Sequence, residues 1–499
     1  MYSRIILIAL TICFIFSSTV YSQILPQEGQ ALHYRIIGFS FPKTNQAISY
    51  TLQIAKGNFT DTINFNKNIV AAITGKTNRM IAEVPAFGES YTWRVCPNTK
   101  QKSTNPPTQL NHFSTLTIPE VDTNLYKLTI ITPAKKYSDA FILADGNKVI
   151  YNMQGQPVWF LPDMNGKNNK DATLADLKLS PSYSLTCLLN NFPYEINYNG
   201  DILWFAPNDG KVSGDSAERY HHEFTKLHNN HYMALGNVMA PPFLPANSTT
   251  PNIMFGTLME YDEHGKVIWS WKSAPYFQHN DFKDFIPSNL PPNSIKGALD
   301  PHENAFYFNE KTKFIYLSCK NISRIVKVQY PSGIVVNAYG ERFKPNTKSN
   351  DDYYYSHQHN PVISSDGNLM VFNNGTHGFK PGTPTLIMFK EGNAHTNRLQ
   401  KIWEYNFKTE CNFPEKVSGG GSITELPDKS FFVATGQAFG EFLIIARNKK
   451  IQWRAMHQKK NIEKNTWEPV SNYRAGIIKS KKDLEKLIWQ STQQKSLSK

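Results

Sequence analysis

Short apolar segments alternate with clusters of Asn, Gly, Asp and Pro along most of the chain, and few apolar stripes recur at the helical period. Between about 24 and 118, "ISYTLQIA", "RMIAEVP", "SYTWRVCP" and "HFSTLTIP" read as alternating strands of a small β-sandwich, with Trp93 as a core aromatic. After residue 135 a repeat begins. "DGNKVIYNMQGQPVWFLP", "INYNGDILWFAP", "MEYDEHGKVIWSWK", "VKVQYPSGIVVNAYG", "LQKIWEYNF" and "IIARNKKIQWRAM" each join an apolar strand, a polar turn and a second strand. Trp159, Trp204, Trp269, Trp403 and Trp453 mark five of those second strands. Six such hairpins predict an all-β chain whose main part is a six-bladed β-propeller. The fourth copy carries Asn337 in place of the Trp, so the pattern is also compatible with five or seven blades.

A second hairpin type lies between these: "HHEFTKLHNNHYMALG", "HENAFYFNEKTKFIYLSC", "HNPVISSDGNLMVFNNG" and "GGGSITELPDKSFFVATG". In a propeller these are innermost strands. Counting back the same distance from each turn reaches His222, His302 and His359, with Gly421 in the fourth copy. Equivalent positions on inner strands converge on the central channel, so three imidazoles are expected to meet there. A single histidine at such a place most often ties neighbouring strands together. Three in one register also suit a metal site, with Glu223 and Cys319 near in sequence as further ligands, or nucleophilic and acid-base catalysis. His221 is expected to face away from His222, because strand neighbours point to opposite sides. His228, His231 and His377 fall at turns or loops, and Tyr353 to Tyr355 read either as a blade edge or as an aryl platform.

The organisation expected is a leader over 1–22, a β-sandwich over 23–118, the propeller over 119–455 and a basic C-terminal segment over 456–499 with a short helix at Lys481 to Gln490. The leader carries Arg4, an apolar run from Ile5 to Phe16 and small residues at a cleavage site, which reads as an export signal. No later run is long enough to span a bilayer, so stable membrane insertion is not expected and the location is periplasmic or secreted. Formal net charge is +13, dispersed rather than striped, which argues against nucleic acid and leaves attraction of a small anion open. Cys96, Cys187, Cys319 and Cys411 lack zinc-ligand spacing and leave room for one or two disulfides.

"YHHEF", "DPHENAFYF", "FIYLSCKNISRIVKV" and "SHQHNPVISSDGNLMVFNNG" resemble, in order, motifs of the bacterial arylsulfate sulfotransferases. The resemblance implies an exported six-bladed propeller with a small N-terminal β domain. It implies PAPS-independent, ping-pong transfer of a sulfuryl group from a phenolic sulfate ester to a phenolic acceptor, with no cofactor. It places the transiently sulfated nucleophile at His359, an acid-base histidine at His302, a further active-site histidine at His222, and a sulfate-binding cation at Lys320, where the family has Arg. Asn360 and Asn373 stand where the family has acids, and Arg324 is a fallback cation. A homodimer is left open. Two rival readings remain: a non-catalytic exported propeller that binds an anion or a partner protein, and a quinone- or metal-dependent oxidoreductase, for which no Ca²⁺-ligating Asp cluster stands out.

Overall fold

Segments whose residues are apolar on both faces can be buried only between two other layers, and that is how most of this chain is used. The computed structural model describes residues 24–100, 109–164, 171–240, 253–277, 300–340, 354–376, 381–392 and 398–491. The leader, Tyr353 and His377 lie outside the described residues. The chain divides into two units, Met1–Ala31 with Ile36–Ser114, and Leu32–Arg35 with Thr115–Lys499.

In the first unit a five-stranded sheet has the strand order Gln30–Leu32, Asn111–Thr115, Ser90–Asn98, Ser49–Lys56, Ile69–Gly75. A two-stranded sheet, Ile36–Ser40 with Arg79–Glu83, meets it through Phe39, whose ring lies 5.2 Å from that of the buried Trp93.

The second unit is a six-bladed propeller. Blade 2 is Leu174–Leu179, Leu185–Leu189, Phe192–Ile196 and Ile202–Phe205; blade 3 is Tyr220–Lys226, Tyr232–Ala240, Ile253–Tyr261 and Val267–Lys272. Blade 4 is Glu303–Asn309, Phe314–Cys319, Arg324–Gln329 and Val335–Gly340; blade 5 is His359–Ile363, Leu369–Asn373, Thr385–Glu391 and Leu399–Asn406. Blade 6 runs Ser422–Glu425, Phe431–Ala434, Glu441–Ile445 and Ile451–Asn461, the last strand also pairing with Tyr126–Thr132 and Thr466–Pro469. The fourth outer strand, with Asn337, is a full blade member.

Blade 1 is assembled from both ends of the propeller sequence. Phe141–Ala144, Val149–Asn152 and Pro157–Phe160 supply three strands, and Ala475–Ile478 adds the innermost one. The boundary expected at residue 455 falls inside Ile451–Asn461, and the segment beyond it closes the ring. The innermost strands touch in sequence from Ala475–Ile478 through blades 2 to 6 and back to the first. The helix Lys481–Ser491 follows and buries Leu484, Leu487 and Ile488.

Blade-to-blade packing holds this ring. One apolar cluster joins Leu188 and Trp204 of blade 2 to Phe224 and Tyr232 of blade 3, another Leu235 and Phe255 to Phe306 and Leu317 of blade 4. Further clusters join Ile325 to Val371 and Phe389, and Phe372 and Met388 to Phe431 and Leu443. Truncating one such buried Phe to Ala costs about 3–5 kcal/mol, a large part of a net stability of about 5–15 kcal/mol. Tyr354 and Tyr355 belong to the blade 4–5 cluster, and Tyr355 donates to the Tyr339 carbonyl at 2.9 Å, so neither serves as an aryl platform over the channel. Among the described residues Cys96, Cys187, Cys319 and Cys411 form no disulfide.

Candidate active site

The inner strands that carry the candidate histidines are not regular. Their pairing slips at Tyr220/Phe224, Glu303/Ala305 and His359/Val362, and likewise at Ala175/Lys178 in blade 2. At or beside these bulges His222, His302, Asn360 and Asp176 hold φ of 58°, 53°, 45° and 57°. Left-handed backbone at a non-glycine residue costs about 1–3 kcal/mol. Bulges re-aim side chains, and here four occur on neighbouring inner strands. The bulge also undoes simple alternation: His221 does not face away from His222, since their Nδ1 atoms stand 2.6 Å apart and one proton serves the pair.

His222, His302, His359 and Lys320 line one cavity of about 560 Å³ at the axis, together with Gly419, Gly420 and Tyr473. The His222 and His302 rings are 5.1 Å apart, edge to face. Tyr473 lies edge to face with both His222 at 5.5 Å and His359 at 5.8 Å, and donates its hydroxyl to the Asn304 carbonyl at 3.2 Å.

The Gln-His-Asn triplet has a division of labour. Gln358 Nε2 donates into blade 4, to Ser318 Oγ and to the carbonyls of Cys319 and Arg324. Asn360 Oδ1 accepts from the Ile423 amide of blade 6 at 2.7 Å. His359, between them, is 2 % exposed and faces the cavity. Neither Asn360 nor Asn373 touches its ring. Asn373 instead accepts from the amides of Ser356 and Gly375. The ring is held by the His357 carbonyl, which accepts from Nδ1 at 3.2 Å, and by the Asn374 side-chain amide 2.8 Å from Nδ1, which turns its oxygen to a protonated Nδ1. On the other side the Gly420 amide donates to Nε2 at 3.1 Å. A nitrogen that accepts carries no proton, so Nδ1 bears it and the lone pair of Nε2 is on the Gly420 side.

Burial, followed by the charges of Lys320 and Arg474, pushes the His359 pKa well below its ordinary value, and burial with His221 and His302 does the same to His222. Both are neutral at physiological pH. His302 is more open; Asp300 accepts its backbone amide at 2.7 Å and stands 3.7 Å from its Nδ1. The Lys320 amide donates to the His302 carbonyl at 3.0 Å, which puts the ammonium-bearing residue beside that histidine. Burial lowers the Lys320 ammonium pKa and Asp300 opposes this.

Arg474 was not expected from the sequence. It projects from just before the closing strand and spans the axis, pairing with Asp176 of blade 2 at 2.9 Å and with Glu223 of blade 3, and donating to the Asn304 carbonyl of blade 4 at 2.9 Å. Lys178 joins the cluster through Asp176 at 2.9 Å and Glu223 at 2.5 Å. With both carboxylates engaged, Arg474 is a brace under the cavity, and Glu223 is unavailable as a metal ligand. Cys319 is fully buried in the sheet, and no cluster of three or more His, Cys, Asp or Glu suited to a metal occurs among the described residues. Arg324 is 1 % exposed within blade 4 and does not line the cavity. His228 and His231 pair with Glu310 and Glu260 at 2.7 and 2.8 Å near the turn.

Among solved structures the chain resembles a protein of unknown function from Bacteroides caccae, at 11% identity and a TM-score of 0.39, covering 71% of this chain and 99% of that one. It also resembles a periplasmic gluconolactonase from Pseudomonas aeruginosa, at 11% identity and a TM-score of 0.36 with the same coverage. Likeness at that level bears on neither activity nor site. No curated protein matches the sequence. A sequence profile described as Arylsulfotransferase (ASST) matches residues 127–405, more than half of the 499 residues and the part that contributes His222, His302, Lys320 and His359. The chain belongs to the arylsulfotransferase family.

Proposed function

We propose that the protein moves a sulfuryl group from an aryl sulfate ester to a phenol by a ping-pong, PAPS-independent route through a sulfated His359. The observation that carries this reading is the meeting of a buried neutral imidazole, two further histidines and a lysine around one cavity. In the first half-reaction the Nε2 lone pair of His359 attacks the ester sulfur, the S–O(aryl) bond breaks, and the phenoxide leaves with the electron pair and takes a proton from His302. In the second, the acceptor phenol gives its proton to His302 and attacks the sulfur, and the S–N electron pair returns to His359. Lys320 and His222 bind the sulfuryl oxygens, whose charge is spread during an in-line transfer much as in phosphoryl transfer. The expected export leader would place this chemistry in a periplasm or outside the cell.

The test is to mix enzyme with a nitrophenyl sulfate and withhold the acceptor. About one equivalent of chromophore should appear in a burst and then stop, and adding phenol should restart release. No burst from active enzyme until phenol is present would exclude a ping-pong route.

Two further outcomes follow from the site. Nitrophenoxide leaves without protonation, so the burst needs only neutral His359. Its lowered pKa means that the neutral form persists as pH falls through the range where an ordinary histidine protonates. The burst rate should therefore stay flat from pH 8 to 6, and a tenfold loss over that interval would contradict the assignment of its protonation state. Lys320→Ala should slow the burst by roughly 10²–10³-fold, the usual effect of removing one preorganised partner of a developing anion, whereas Lys320→Arg keeps the charge and should retain most activity. Equal bursts from wild type and Lys320→Ala would remove Lys320 from the sulfuryl site.

A further inference from the structure

The Ser-Gly-Gly-Gly-Ser stretch at 418–422 opens blade 6, and its glycines are demanded by geometry. Gly420 and Gly421 hold φ of 73° and 98°; a Cβ on Gly420 would meet the Tyr473 carbonyl at 2.2 Å, and one on Gly421 the Phe372 ring at 2.3 Å. The loop is clamped on each side. The Gly421 amide donates to the Tyr473 carbonyl at 2.8 Å, and the Gln437 amide donates to the Gly419 carbonyl at 3.0 Å. What remains is the Gly420 N–H, which is aimed into the cavity and lies 3.1 Å from His359 Nε2.

That hydrogen bond occupies the lone pair that must bond to sulfur. Resting on the proposed sulfohistidine route, we infer that the Gly420 amide is a catalytic donor that changes acceptor during the reaction: it caps Nε2 in the resting enzyme and donates to a sulfuryl oxygen once Nε2 carries the group. When the N–S bond forms and the S–O(aryl) bond breaks, Nε2 no longer has a lone pair to accept with, and the sulfuryl oxygens are the nearest anionic acceptors attached to it. No proton is transferred by the amide at any stage. A fixed backbone donor beside the sulfur supplies part of what a second guanidinium N–H would supply at the position held here by Lys320, a single-point cation. The loop is built before substrate arrives; because its donor lies on the lone-pair side of Nε2, the imidazole and the amide must swing apart as sulfur approaches, and the clamps keep the N–H within reach of a sulfuryl oxygen.

The sequence permits a direct test on the intact wild-type chain. Gly420 and Gly421 are the only glycines preceded by glycine. Protein labelled with [1-¹³C,¹⁵N]glycine on a deuterated background therefore gives two amide signals in a carbonyl-selected ¹H–¹⁵N experiment. Nitrophenyl sulfate without acceptor is added, and sulfation of His359 is followed in parallel by mass spectrometry. The expected result is a shift of one signal, Gly420, in step with sulfation and reversed by phenol, while Gly421, which stays on the Tyr473 carbonyl, holds its position. Full sulfation with both signals unmoved, or with both moved equally by general loop rearrangement, overturns the inference while leaving the sulfohistidine route standing. Absence of any sulfated histidine removes the route and the inference together.

Discussion

His359→Ala should lose aryl sulfate turnover by at least roughly 10⁴-fold, since removal of a covalent nucleophile leaves only binding and electrostatic contributions. The protein should remain folded. The clips that tie this strand to its neighbours belong to Gln358 and Asn360, and the ring itself makes contacts with Asn374, His357 and Gly420 at one end of a strand. The measurement is chromophore release from a nitrophenyl sulfate in the presence of phenol, with thermal unfolding of the variant as a control. A folded variant with wild-type turnover would refute nucleophilic catalysis by this residue.

Arg474→Met should be the most destabilising single change at the site. Arg474 is 2 % exposed, and Asp176 and Glu223 are similarly buried. The guanidinium and Lys178 pull the Asp176 pKa down even though burial pushes it up, so this carboxylate is charged in the folded state. Methionine would leave Asp176 charged beside Glu223, whose pKa burial already raises, with one ammonium between them, an imbalance that costs about 3–5 kcal/mol. The loss should be partly recovered in the double variant Arg474→Met, Glu223→Gln, because a neutral amide no longer requires the missing charge; this non-additivity would identify the charge imbalance rather than lost packing as the cause. Denaturant unfolding of the four proteins measures it. Equal stability of Arg474→Met and wild type would show that the brace contributes nothing to closure. Cavity activity should fall as well, because Arg474 and Tyr473 share the Asn304 carbonyl.

The outer hairpins could be read from the chain because each is local: two strands and a turn within one stretch, marked by an aromatic that packs against the next blade. His222, His302 and His359 could be read for the same reason, since the distance from turn to channel is set by strand length. Four inner strands against six outer hairpins leave two to find, Leu174–Leu179 of blade 2 and the strand that closes blade 1. The missing closing strand is "AGII" at 475–478, whose partner Phe141–Ala144 lies at the other end of the propeller sequence. No local pattern encodes such a pairing. With it went Tyr473 and Arg474, assigned to a basic tail although they line or brace the cavity.

The environment of His359 was hidden for a different reason. In the sequence Asn360 and Asn373 stand where the family has acids, yet the backbone turns at φ 45° after His359, so that Asn360 clips blade 6 and the ring meets Asn374 instead. The same irregularity at His222 brings His221 into contact rather than turning it away. Sequence alternation assumes a regular pleat, and the site is built where the pleat is broken. The Gly420 amide has no side chain to announce it; only its left-handed backbone and the carbonyl against its Cα reveal why glycine stands there.

The central claim is that the axial cavity makes a covalent N–S bond at one named atom. The most direct measurement is mass spectrometry of protein quenched during the first half-reaction, kept at alkaline pH to preserve the N–S bond. The account predicts one added SO₃ per chain, located on the peptide containing His359, lost on addition of phenol and absent from His359→Ala. Turnover with an unmodified His359 throughout, or with the added group on His222 or His302, would contradict it.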